Sequence, residues 1–111
     1  MGWIPYDGTF EIIASIQQQW QEKLDAADAI RFWNDDHMAV RGLIEQARVF
    51  DILRDVLLQQ SRTTQRTALH YAQTFQAYAI LISAIRECDC MHVLAHLKDR
   101  EGNTFVDCAK N

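Results

Sequence analysis

Apolar residues recur at gaps of three and four along two long stretches, and that spacing commits most of the chain to helix. Phe10, Ile13, Ile16, Trp20, Leu24, Ala27 and Ile30 fall, at about 100° per residue, in one stripe roughly 160° wide. Ile12 lies at its edge, and Gln18, Glu22, Asp25 and Asp28 occupy the opposite face. The pattern predicts an amphipathic helix of about six turns. Asn34-Asp35-Asp36 ends it and offers side-chain oxygens to cap the next. Val40, Leu43, Ile44, Ala47, Phe50, Leu53 and Leu57 then repeat at the same spacing, predicting a second long helix and a helical hairpin. Gly42 inside that helix costs about 1 kcal/mol against alanine and marks a bend or a close crossing.

The remaining segments fit the same class. Residues 61–66 are a polar linker, and 67–87 read as a third helix whose end, 80–85, is apolar all round and suits a core or an interface. Cys88-Asp89-Cys90 interrupts it, and 91–97 suit a short fourth helix. Residues 1–8, with Pro5 and Asp7-Gly8, form an irregular lead-in from which Thr9 or Asp7 caps the first helix. Residues 99–111 form a short turn and tail around Gly102-Asn103. One proline and four glycines leave little turn material for a many-stranded sandwich or barrel. The expectation is a single all-α domain over 1–111, a small helical bundle built on a long helical hairpin.

Charge and cysteine usage narrow the function. The net charge is −4, with ten acids against five bases in residues 1–60, which argues against a nucleic-acid partner and for a basic protein partner. Arg62 and Arg66 around Thr63-Thr64-Gln65 are a thin footprint for a helix-turn-helix, and the helix after them is apolar where a reading helix is polar. The longest apolar run, 77–85, is too short to cross a bilayer, and nothing at the start reads as a secretory signal. Three cysteines, an odd number, suit a reducing, cytoplasmic setting better than a disulfide framework.

Cys88, Cys90, His92 and His96 form the one cluster with metal-ligand chemistry. Histidines four apart on a helix chelate zinc from one face, with two thiolates just upstream. That cluster defines an alternative reading, a small zinc-binding helical protein. The bland account makes the cysteines core at a helix break and the histidines part of a half-exposed face. Catalytic motifs are missing: there is no phosphate loop, no His-Glu-x-x-His and no Gly-x-Ser-x-Gly. The expectation is a non-enzyme with no cofactor. Phe32 and Trp33 fall outside the first stripe, so their rings either fold into the core or form an exposed patch with Met38, and at the other end Trp3 and Tyr6. Large aromatics are what protein-binding hot spots use. Trp20, Phe32, Trp33 and Met38 are the candidate partner contacts.

A resemblance adds to this. Thr67-Ala68-Leu69-His70-Tyr71-Ala72 resembles the Thr-Pro-Leu-His-x-Ala box of ankyrin repeats. The run 99–109, with Gly102-Asn103-Thr104-Phe105, is similar to the turn and opening of a following repeat. Thr67 to Thr104 is 37 residues, against about 33 in that family, and Gln76 stands where its inter-helix glycine would be. The resemblance implies that Thr67 caps a helix, that His70 joins a network between neighbouring repeats, and that the last third binds proteins. The reading from the whole sequence is a small protein-binding regulator or adaptor that covers a partner's surface with apolar helix faces. A homodimer through the first helix accompanies it, because a two-fold interface buries one patch twice.

Overall fold

The structure, a computed structural model, describes residues 8–109, whose regular elements are all helical. Trp3, Pro5, Tyr6 and Asp7 lie outside the described residues. The first helix, α1 (Thr9–Asp25), buries Ile16, Trp20 and Leu24 as its stripe requires. It ends earlier than the periodicity predicts, where Ala26 turns extended, and a separate helix, α2 (Ala29–Asp35), buries Ala29, Phe32 and Trp33 in place of the expected Ala27 and Ile30, which are exposed. Gly8, left-handed at φ 84°, holds the cap position of α1 without a side-chain bond, and Thr9 is the first helical residue.

The second long helix is also broken. α3 (His37–Val49) starts on Asp36, whose side chain accepts from the Ala39 N–H. It stops where Asp51 turns left-handed at φ 58°, and α4 (Leu53–Leu58) follows. Residues 67–87 form two helices rather than one: α5 (Ala68–Tyr71) and α6 (Phe75–Cys88), separated by an extended Ala72 and a capping Thr74. α7 (Met91–Leu94) and α8 (Phe105–Ala109) complete the described chain. The bundle is all-α, but short helix pairs replace the long hairpin.

Those pairs repeat. Asp51 and Asp89, 38 residues apart, are both left-handed, at φ 58° and 51°. Asp51 N–H donates to Arg48 O and Ile52 N–H to Ala47 O, at 3.1 and 2.9 Å; Asp89 N–H to Arg86 O and Cys90 N–H to Ile85 O repeat the pattern at 3.2 and 3.3 Å. Aspartate tolerates this conformation better than most side chains, and these bonds take up the free carbonyls of the helix end. One unit therefore runs α2–α3–α4 and a loop; the next runs α5–α6–α7 and a loop; α8 stands where a third would begin. In the stack α2 packs on α5, α3 on α6 and α5 on α8, while α1 closes the other end against α2 and α3.

One buried side chain explains the break at 72–74. Asn34 in α2 accepts from Gln73 N–H and Thr74 N–H at 2.6 and 3.0 Å, and donates to Ile30 O and Tyr71 O at 2.7 and 2.8 Å. A side chain of the first unit thus stabilises the turn of the second.

Candidate interaction surface

The polar joint between the two units begins at Thr67, which caps α5. Its hydroxyl accepts from His70 N–H, and His70 Nδ1 accepts in return from Thr67 N–H at 3.1 Å, a reciprocal capping box. Since Nδ1 accepts, the ring proton sits on Nε2, which donates to Asn103 O at 3.0 Å in the following loop. Asp99 nucleates that loop: its Oδ1 accepts from Glu101 N–H and Asn103 N–H, both at 2.9 Å, and its Oδ2 from Arg66 Nε at 3.3 Å. The preceding loop has the same plan at its counterpart, Ser61, whose hydroxyl accepts from Thr63 and Thr64 N–H and donates to Asp25. The two loops join directly where Arg100 N–H donates to Thr64 O at 2.8 Å. Gln65 and Gly102, each two residues before a threonine, are left-handed at φ 60° and 84°.

Electrostatics follow from this geometry. Burial holds the His70 imidazole below its ordinary pKa, and the Arg66 charge adds to that, while the bond to Asn103 and the Asp99 charge oppose it. Burial opposes ionisation of Asp99, but the Asn103 and Glu101 N–H groups and the Arg66 guanidinium outweigh it and keep the carboxyl below its usual range. Burial pushes the Cys108 thiol up.

Among the described residues, the group that brings three potential ligand atoms within 4.8 Å of one another is His70, Asp99 and Cys108. Cys88, Cys90, His92 and His96 do not converge in this way; Cys90 is buried and His92 and His96 are exposed. Burial raises both thiols of that segment, against the thiolate a metal needs. In the converging group, both histidine nitrogens and both carboxylate oxygens already have hydrogen-bond partners. The site is a structural joint with its lone pairs engaged.

Of the four expected contacts, three are core. Trp20 and Trp33 are 0% exposed and meet at a tilt with ring centroids 5.0 Å apart, and Phe32 meets Trp33 edge-on at the same distance. Trp33 Nε1 donates to Lys23 O, which explains how an indole off the stripe is satisfied inside. The break at 26–28 rotates α2 so that Phe32 and Trp33 point inward and Arg31 outward. Met38 alone is available, 85% exposed. Phe75, which sequence reading passed over, occupies nearly the same place in the second unit, on the first turn of α6, and is 88% exposed. Self-alignment at 38 residues pairs Ala39 with Ala77, Leu43 with Leu81, Ile44 with Ile82, Arg48 with Arg86, Asp51 with Asp89 and Arg62 with Arg100, and sets Phe75 opposite His37, one position before Met38.

A groove of about 500 Å³ between α1 and α3 is walled by Phe32, Leu43, Ala39 and Gly42, with the Lys23 ammonium 4.8 Å over the Phe32 ring. A Cβ on Gly42 would meet nothing within 4 Å, so no close crossing requires that glycine. Among the described residues, no helix is long and apolar enough to cross a membrane. Comparison with protein-family models, with curated proteins and with solved structures finds no match to this chain.

Proposed function

We propose that the chain is a protein-binding regulator or adaptor, a short stack of helix pairs of ankyrin-repeat type that acts by covering the surface of a partner. The observation that carries this reading is the repeated unit: two helix pairs about 38 residues apart leave the large apolar side chains Met38 and Phe75 in solvent on the first turns of α3 and α6, one register position apart. The backbone beneath both is already ordered by packed helices, so a partner that covers them costs the chain only side-chain rotamer freedom. Thr67 caps a helix and His70 reaches the next loop, two contacts that support the reading. The stacked loops supply the polar rim, with Arg62, Arg100 and Glu101 exposed.

Affinity capture of the full chain, with the captured proteins quantified against it, tests the proposal. The wild type retains a protein in stoichiometric amount, and the Met38→Asp, Phe75→Asp double variant loses it with its circular dichroism and melting unchanged. Equal retention by the variant, or no stoichiometric partner from any source of the protein, refutes it.

A further inference from the structure

Gly42 stands inside α3, exposed, with helical backbone and open space where a side chain would be. The repeat shows what that position lacks. Its counterpart 38 residues on is Ile80, half-buried in the seam between α3 and α6 beside Ile44 and Ala84. That seam leaves a cavity of about 230 Å³ and is bridged by Arg48 and Glu87 at 2.7 and 2.8 Å. The corresponding seam, between α1 and α3, is the groove of about 500 Å³ over Phe32 and Leu43. No ion pair crosses it among the described residues. The aliphatic side chain that fills one seam is missing from the other.

The rim of the open groove is acidic. Glu22 and Asp36 line it, and a second depression that shares Lys23, Phe32 and Asp36 with it adds Asp28 and Asp35. All four carboxylates are exposed, and among the described residues only Asp35 has an ion-pair partner, Arg31 at 3.9 Å. The face of the Phe32 ring already takes a cation, the Lys23 ammonium 4.8 Å from its centroid. A guanidinium, planar and more weakly hydrated, suits an aromatic face beside carboxylates better than that ammonium does.

We propose that the groove is a docking site for a basic segment of another protein. One branched aliphatic side chain of that segment lies on Gly42, where the second unit has its own Ile80. An arginine next to it takes the place of Lys23 on Phe32 and pairs with Glu22 or Asp36. The aliphatic group gains burial against Leu43 and Ala39, and the unpaired carboxylates steer a basic chain to the groove. They oppose a second copy of this chain, whose net charge is −4. The proposal rests on the reading of the chain as protein-binding and adds the chemistry of what it binds here.

Selection of a random twelve-residue peptide library on the immobilised full chain is the test, with Gly42→Ile as the comparison target. That substitution enters open space and improves helix propensity, so circular dichroism and melting are expected to show an intact fold. The retained peptides are expected to carry arginine or lysine close to an isoleucine, leucine or valine. They should bind Gly42→Ile about tenfold more weakly, and the Glu22→Gln, Asp28→Asn double variant about threefold more weakly at low salt. Neutral or acidic peptides, equal binding to Gly42→Ile, or no enrichment overturns the proposal. So does a Gly42 amide resonance that moves with chain concentration, which gives the groove to a second copy. Overhauser contacts from Gly42 to residues before Gly8 overturn it too, giving the groove to the chain's own start. Met38 and Phe75 are untouched in Gly42→Ile. If this proposal alone fails, capture still yields a partner that the Met38→Asp, Phe75→Asp variant loses; if the protein-binding reading fails, capture yields none.

Discussion

Replacing His70 interrogates the joint between the units. In the folded chain its Nδ1 accepts the Thr67 N–H and its Nε2–H reaches Asn103 O, a pattern only the neutral ring can make. His70→Ala would leave that donor and that acceptor buried and unsatisfied beside a small cavity, for a loss of about 3–5 kcal/mol. His70→Gln keeps an acceptor and a donor but removes the titration, at about 1–2 kcal/mol. The pH dependence separates the two effects. With the folded pKa held down by burial, the unfolded chain binds a proton that the folded chain refuses. Stability therefore falls as pH drops through about 6.5, with a slope of at most about 1.4 kcal/mol per pH unit, until the folded ring titrates as well. Arg66, Asp99 and Cys108 face the same ring and stay in place in the glutamine variant. Urea unfolding at closely spaced pH values from 7.5 to 5 reads this. An equal slope in wild type and His70→Gln, or an imidazole that titrates above 6.5 by nitrogen NMR, would refute the reasoning.

Gly42→Ala should raise stability by about 1 kcal/mol, because the new methyl meets open space and helix propensity improves; the melting temperature should rise by about 4 °C. Asn34→Ala should cost about 2–4 kcal/mol in urea unfolding, since it strips Gln73 and Thr74 N–H and Tyr71 O of one shared partner. Excess zinc should leave the unfolding midpoint unchanged, because the lone pairs of His70 and Asp99 are engaged; a rise with one equivalent bound would give the metal reading its support.

Much of the helical pattern was legible along the chain. The stripe of α1, the stop at Asn34-Asp35-Asp36 and the interruption at Cys88-Asp89-Cys90 all correspond to structural features. The breaks at 50–52 and 72–74 were not, for a physical reason: apolar spacing runs through both, and each break is enforced from elsewhere. Asp51 adopts a left-handed turn that its neighbours' periodicity does not encode, and the turn after Tyr71 is held by a side chain 39 residues upstream. The aromatic cluster was misplaced for the same cause, since the phase of α2 depends on the kink before it. Met38 was legible as an exposed residue; Phe75 became so only once α6 was seen to start at Thr74 and not at Thr67.

Native-state hydrogen exchange at the Arg100 amide tests most directly whether the two units form one body. Bonded to Thr64 O at 2.8 Å, it should exchange orders of magnitude more slowly than an open loop amide, with an opening free energy close to that of the buried amides of α6. Exchange at the rate of an unstructured peptide, with α6 still protected, would mean that the loops are not joined and that the stack is two helix pairs side by side.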